Sequence, residues 1–459
     1  MPFNSLNFAC FFLITFGLFA AAPRSWGNRI LLLASLYAYS CWNGWYLLLV
    51  VWSGALDYWL SWRIFPHQGT RRGRIWLTLS LAYNLLILAY FKYGLMLESL
   101  LVALGLPAAA LPPVLEMPVG ISFFTFQSMG YAIDVYRGRV PPARKLSDYM
   151  LFVSFFPQMM CGPIERARGL LRQIESPRQI SAEGIYLGMA RFSWGLFQKV
   201  VVGDNLALPV NAAFARFSSL DSPSLLLAIL LFGVQLYADF SGYTDMALGL
   251  GQMLGFRMSE NFRAPYLARN AADVWNRWNI TLMAWFRDYV YFPLCGRAPQ
   301  RAWLAALLVF TLSGLWHGAA WHFALWGLVN GLFLLVMRLY DSSEAPRLGR
   351  PWNTLATLLP MALGLLLFRA PSISVALAIL SGILLEGGQH GFQLQGVPWE
   401  AVLGFALVVL VDVCKDPLPF DRWFLRLPWA LRTLGWAALL LGILLLGAKT
   451  DVNFLYLQF

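Results

Sequence analysis

Long apolar runs separated by short basic loops dominate the chain. A helix needs about 20 apolar residues to cross ~30 Å of hydrocarbon, fewer where the bilayer thins. Leu6 to Ala22 is the first such run. It ends in Ala20-Ala21-Ala22, as a signal-peptide cleavage site would. Its first basic residue, Arg24, follows the run, so it reads as an uncleaved helix with its N-terminus outside. Ile30 to Trp62 is broken at Asn43-Gly44, carries Asp57, and has basic residues on both flanks. Equal flanks require an even number of crossings, which predicts a hairpin of two helices, each of about 16 residues and short enough to imply local thinning.

Trp76 to Leu106, with Lys92 near its middle, predicts one long helix or two short ones. Leu106 to Pro118 holds four prolines and reads as a turn or re-entrant stretch. Val119 to Tyr136 is apolar but carries Ser122, Thr125, Gln127, Ser128 and Asp134, so it should face protein or a water-filled path. The basic loop Arg137 to Lys145 reads as cytoplasmic, and Met150 to Cys161, ended by Gly162-Pro163, as re-entrant or interfacial. After a polar connector, Glu165 to Glu183, spans resume at Gly184–Val202 and Ser224–Phe240. Asp239 to Arg301 is the least lipid-like region. Six more apolar segments follow: Ala302–Leu315, Trp321–Met337, Thr354–Phe368, Ile373–Leu385, Ala401–Val413 and Leu431–Leu446. The polar loop Arg338 to Pro351 separates the second from the third. The pattern predicts an all-α polytopic membrane protein of about ten to twelve spanning helices plus re-entrant pieces. It forms a single transmembrane domain over 1–459, with a core at 119–339. No internal repeat is evident, which weighs against a transporter built on inverted halves.

Composition agrees. Of 459 residues, 59% are hydrophobic and only 12% charged, half the ~25% of soluble chains. That excludes a water-exposed multidomain protein, a disordered chain and a small disulfide scaffold. The alternating strands of an outer-membrane barrel are absent. The net charge of +11 sits mostly in short loops, where it sets topology; nucleic acid is not an expected partner. Cys10, Cys41, Cys161, Cys295 and Cys414 are scattered without a C-x-x-C pair and read as packing residues, not metal ligands.

Two clusters carry candidate chemistry. Val274 to Gly296 intersperses three tryptophans and two tyrosines with Asn276, Arg277, Asn279, Arg287 and Asp288. Trp275, Trp278, Leu282 and Trp285 recur at helical spacing, which predicts one amphipathic helix with Asn279 a turn from Trp275. Such a helix suits the headgroup belt, yet the amides exceed belt duty. The second cluster, Ser313 to His322, holds His317 and His322, two of the four histidines, beside Gly314 and Gly318. Five residues apart, the pair points to different helix faces and cannot form a zincin site. Nucleophile-elbow, P-loop and dinucleotide fingerprints are absent. Ser241 reads as a helix serine bonded to backbone. What remains is a neutral imidazole taking a proton from an acceptor hydroxyl in a water-poor site, with an amide such as Asn279 orienting the acceptor or stabilising an oxyanion.

In these clusters the chain resembles the membrane-bound O-acyltransferase (MBOAT) family, and within it the bacterial alginate O-acetylation branch. The matching residues include Val119-Gly120-Ile121-Ser122-Phe123-Phe124-Thr125-Phe126-Gln127, Asp239-Phe240-Ser241-Gly242-Tyr243-Thr244-Asp245-Met246 and Trp275-Asn276-Arg277-Trp278. They also include Arg287-Asp288-Tyr289, Gly314-Leu315-Trp316-His317-Gly318 and the terminal Phe454-Leu455-Tyr456-Leu457-Gln458-Phe459. The resemblance implies helices ringed around a tunnel, with His317 and Asn279 catalytic. Trp278, Trp316, Tyr243, Asp245, Asp288 and His322 become candidate substrate-binding residues, with His322 ranked lowest because it lies outside the family motif. Asn279 stands where the alginate branch usually carries His, and Thr281 where Ser is usual.

By the same resemblance, acetyl-CoA is the donor substrate, with no tightly bound cofactor and no metal. The location implied is the bacterial inner membrane, amid membrane lipid, with a periplasmic partner of SGNH-hydrolase type passing the acetyl group to an exported polysaccharide. Teichoic acid, peptidoglycan or lipid acceptors, a transporter, and a non-catalytic scaffold are the alternatives.

Overall fold

The computed structural model describes the chain except residues 106–115, 160–161, 177–178, 297, 343–349, 386–395, 450–453 and 456–459. The proline-rich stretch expected at Leu106 to Pro118 and the loop Arg338 to Pro351 lie largely outside the described residues, as do Cys161 and most of the C-terminal motif. Among the described residues every regular element is helical.

The chain divides into two compact units, one of residues 1–192 and 246–259, the other of 193–245 and 260–459. It passes between them inside two helices and once more after Ser259.

The first unit opens with α1 (Leu6–Ala21), capped by the Ser5 hydroxyl. The expected hairpin follows as α2 (Arg24–Ser40) and α3 (Gly44–Ile64). It turns at Asn43, whose side chain accepts from the Trp45 N–H. α3 has 21 residues, longer than the break suggested, because the cap at Asn43 starts it immediately and its apolar face runs on past Trp62.

Trp76 to Leu106 proves to be one helix, α4 (Arg71–Ala103) of 33 residues. At 1.5 Å per residue that is about 50 Å, well beyond one hydrocarbon thickness. α5 (Ile121–Tyr136) is buried almost all round, as its polar residues require. It starts at Gly120, whose φ of +74° and close approach to the Met159 carbonyl leave no room for a side chain. The segment expected to be re-entrant or interfacial forms α6 (Leu146–Ser154) and α7 (Phe156–Met159), both buried from Asp148 onward. α8 (Leu170–Ile174) lies in the polar connector. Among the described residues Asp57 meets no cation; its carboxylate accepts from Ser80 Oγ (2.9 Å) and from Asn84 Nδ2 (3.1 Å), tying α3 to α4 inside the bundle.

α9 (Ala182–Phe197) leads through a π-helical turn (Gln198–Gly203) into α10 (Asp204–Ala215). α11 (Ser222–Met253) is longer than the expected span, which stopped at Phe240. Its polar continuation stays helical because its polar groups find partners. Ser241 Oγ lies 2.6 Å from the Tyr237 carbonyl one turn back and 2.6 Å from Gln198 Oε1.

The second unit continues with α12 (Ala271–Arg277), α13 (Ile280–Phe286), a π-helical turn (Arg287–Tyr291) and α14 (Phe292–Cys295). Then come α15 (Ala302–His317), α16 (Trp321–Ser342), α17 (Arg350–Arg369) and α18 (Ile373–Leu385). It ends with α19 (Trp399–Lys415), α20 (Phe420–Arg426) and α21 (Trp429–Leu446).

Among the described residues, four helices are long and apolar enough to cross a membrane, and four shorter apolar helices accompany them. α1 and α15, at 16 residues, span only about 24 Å, in line with a thinned bilayer. Cys10, Cys41 and Cys414 are exposed. They correct the expectation of packing cysteines, since each stands on the outward side of its helix or turn.

Candidate active site

α15 and α16 form a hairpin closed by glycines. A Cβ on Gly314 would stand 2.0 Å from the Phe323 carbonyl oxygen, and one on Gly327 2.1 Å from the Phe310 carbonyl oxygen. Gly327 and Gly331 form a G-x-x-x-G face, the spacing that lets two membrane helices touch through their main chains. α15 ends at His317 because Gly318 turns extended, with φ −156° and ψ 148°. A side chain at Gly318 would meet the Phe323 ring at 2.0 Å.

His317 is therefore fixed at a main-chain contact, and it is buried. Its ring packs against three aromatic rings: Trp316 at 5.0 Å, Trp326 at 5.2 Å and Phe368 at 5.2 Å between centroids, all near edge-on. Trp326 and Phe368 also touch each other at 5.4 Å. The imidazole opens on a cavity of about 300 Å³, walled by Trp275, Trp278, Trp326, Phe368 and Tyr266 and otherwise mostly aliphatic. Tyr266 is held by its hydroxyl, which donates to the Gly233 carbonyl at 2.7 Å.

Behind that wall sits a charged frame. The Tyr237 ring packs on Tyr266 (5.2 Å) and Trp278 (6.0 Å), and its hydroxyl donates to Asp412 at 2.7 Å. Lys415 pairs with the same carboxylate at 2.9 Å. Arg277 bridges Asp273 and Asp416 at 2.9 Å each, raising an already high guanidinium pKa through those carboxylates against the cost of burial. Lys199, Asp204 and Asp239 form a buried triad, with Nζ 2.5 and 2.6 Å from the two carboxylates.

The segment expected to be one amphipathic helix is broken at its centre. Trp278 is extended and Asn279 takes the left-handed conformation, φ 44° and ψ 51°, which Asn tolerates better than most residues. Asn261 makes the break favourable. Its carbonyl accepts from Ile280 N at 3.0 Å, and its Oδ1 accepts from Thr281 N (3.1 Å) and Thr281 Oγ1 (2.9 Å). The helical stripe of Trp275, Trp278, Leu282 and Trp285 thus belongs to two helices, and Asn279 is not one helical turn from Trp275.

Of the residues singled out in the sequence, His317 and Trp278 line the cavity together. Trp316 backs His317 without lining it. Asn279 is buried one residue beyond Trp278, outside the lining, and its Nδ2 has no hydrogen-bond partner among the described residues. Tyr243 packs on Phe454 at 4.5 Å. Asp245 accepts from Gln198 Nε2 at 3.0 Å. Asp288 pairs with Arg287 at 3.0 Å, and His322 lies on Phe323 at 4.3 Å. None of these four lines the cavity.

The sequence reading passed over Trp326, Phe368 and Asn330. Asn330 carried a usable signal, an amide in the middle of an apolar span. Among the described residues no group of three or more His, Cys, Asp or Glu side chains is placed to hold a metal ion.

The described residues thus place a buried histidine beside an aromatic, mostly apolar chamber of a helical protein. Residues 143–380 match the model of the membrane-bound O-acyltransferase family. The chain belongs to that family: it is a multi-pass membrane protein and an acyltransferase. It is 37% identical to the probable alginate O-acetylase AlgI of Azotobacter vinelandii, over 82% of this chain and 76% of the relative. It is 36% identical to the protein of the same description from Pseudomonas aeruginosa, over 82% and 73%. A peptidoglycan O-acetyltransferase of Helicobacter pylori is 32% identical over 95% of this chain and 92% of its own.

Proposed function

We propose that the protein is an inner-membrane O-acetyltransferase that takes acetyl groups from cytoplasmic acetyl-CoA for O-acetylation of an exported polysaccharide. A periplasmic partner of SGNH-hydrolase type completes the transfer. The observation that carries this reading is the position of His317, buried in an aromatic box and facing a largely apolar cavity. A neutral imidazole there accepts the proton of an acceptor hydroxyl as its oxygen bonds to the acetyl carbonyl carbon. The C–S bond breaks, and the proton passes from the imidazole to the CoA thiolate. The apolar wall keeps water from competing for the thioester. Asn279, one residue past Trp278, is the amide assigned to orient the acceptor.

The test is transfer of labelled acetyl from acetyl-CoA in membrane vesicles, at matched protein levels, for the wild type, His317→Ala and His322→Ala. Loss with His317→Ala and retention with His322→Ala supports the reading. Unchanged labelling with His317→Ala refutes the assignment of His317 as the base, and no labelling by the wild type refutes the acetyl-transfer reading.

A further inference from the structure

Two hydrogen-bond donors beside His317 are idle in the reaction as drawn. Asn330, on α16, is buried and lines the cavity. One N–H of its Nδ2 donates to the Trp326 carbonyl a turn back, at 2.8 Å. The other N–H has no partner among the described residues, and neither does the indole N–H of Trp326, which lines the same cavity.

Both nitrogens converge on one place, where α17 lacks a side chain. A Cβ at Gly364 would stand 3.3 Å from Asn330 Nδ2, 3.5 Å from Trp326 Nε1 and 3.6 Å from Asn330 Oδ1. Met361, Leu365 and Phe368, around Gly364 on the same helix, line the cavity. Gly364 itself does not line the cavity, but Asn330 and Trp326 do. An oxygen on the cavity side of that point, clear of the Gly364 main chain, can therefore meet both N–H groups, which suits a carbonyl and suits it better once it carries negative charge. The base stands close by, because the Trp326 indole that supplies one donor also packs on the His317 ring at 5.2 Å.

We infer that Asn330 Nδ2 and the Trp326 indole N–H hold the carbonyl oxygen of the acyl group, on the cavity side of the notch left by Gly364; this rests on the acyl-transfer reading above. As the acceptor oxygen bonds to the carbonyl carbon, the C=O electron pair moves onto that oxygen. The two N–H groups hold the resulting oxyanion. The pair returns as the C–S bond breaks, and the thiolate takes the proton held by His317. Asn330 and Trp326 are then catalytic residues by contact with the reacting group, and Asn279 is left to the acceptor.

The experiment measures kcat and the KM for acetyl-CoA in vesicles, with thermal unfolding of each purified variant alongside. Trp326→Phe keeps a ring and deletes the indole donor; Asn330→Leu keeps the approximate size and deletes the amide. Each should lower kcat by about 10²-fold while leaving the KM for acetyl-CoA within about threefold, as loss of one oxyanion donor does elsewhere. Asn330→His, which restores an N–H in a different shape, should recover part of the rate; a mere packing role would be disturbed by it as much as by Leu. If Asn330→Leu does not fold, Trp326→Phe decides.

Wild-type kcat in both deletions, with His317→Ala inactive, overturns the carbonyl subsite and leaves the base in place. Absence of acetyl transfer in the wild type itself would show that the acyl-transfer reading had failed.

Discussion

The imidazole of His317 meets the indole of Trp326 edge to face, with centroids 5.2 Å apart and planes at 88°. This arrangement leaves the imidazole little rotational freedom. Trp326 is carried by the helix whose main chain touches α15 at Gly314 and Gly327, and Phe368 by α17, so the orientation of one side chain depends on how three helices pack.

Gly318→Ala tests that dependence. The new Cβ would lie 2.0 Å from the Phe323 ring, which packs at 5.2 Å on Phe368, itself a wall of the His317 box. Displacing Phe323 should shift the box. Acetyl transfer should fall roughly ten- to a hundredfold, the penalty typical of sub-ångström to ångström misplacement. A wild-type rate in this variant would mean that the box does not position the base.

At Asn279, conformation and chemistry can be separated. Glycine adopts the left-handed conformation without strain, whereas alanine there costs about 1–2 kcal/mol. Asn279→Gly should therefore unfold near the wild-type temperature yet lose acetyl transfer, and Asn279→Ala should lose both. Full activity in Asn279→Gly would remove the amide from the chemistry.

Lys199 is the cation of a buried triad with Asp204 and Asp239, and Asp239 also accepts from Leu455 N at 2.8 Å. Lys199→Met leaves two carboxylates facing each other without it. The expected cost is about 3–5 kcal/mol of stability, read as a lowered thermal transition in detergent. Adding Asp204→Asn should return part of the loss.

Glu165, in the polar connector, accepts from the Ser259 N–H and from its hydroxyl at 3.2 Å. Burial raises its pKa from 4.5 to about 7, against the lowering effects of those bonds and of Arg166. The folded state therefore holds this proton more tightly than the unfolded state. The stability it gives is complete below about pH 4.5 and is lost as pH rises through about 7. Thermal unfolding of the wild type should show that decline, and Glu165→Gln should flatten it. Equal pH slopes in the two proteins would exclude Glu165 as its source.

Much of this was legible in the sequence. Apolar runs placed the helices, Asn43-Gly44 placed the first turn, and the polar residues of α5 announced burial. The misses have physical causes. Helical spacing of Trp275, Trp278 and Trp285 hid the break at Asn279, because the partner that stabilises it, Asn261, is distant in sequence and periodicity carries no long-range hydrogen bonds. The expected span stopped at Phe240 because the polar end of α11 is unlike lipid-facing sequence, and the bonds that satisfy Ser241 and Asp245 come in part from Gln198, on another element. Asn330 drew no attention as a single amide among aliphatics, and only the missing side chain at Gly364 shows what lies opposite it.

α17 supplies Met361, Ala362, Leu365 and Phe368 to the cavity, while the base sits on the glycine-locked hairpin of α15 and α16. Chamber size is thus set in part by the helix that also carries Phe368 against His317. An engineer wishing to admit a bulkier acyl donor can vary three aliphatic positions of one helix, Met361, Ala362 and Leu365, and leave the hairpin untouched.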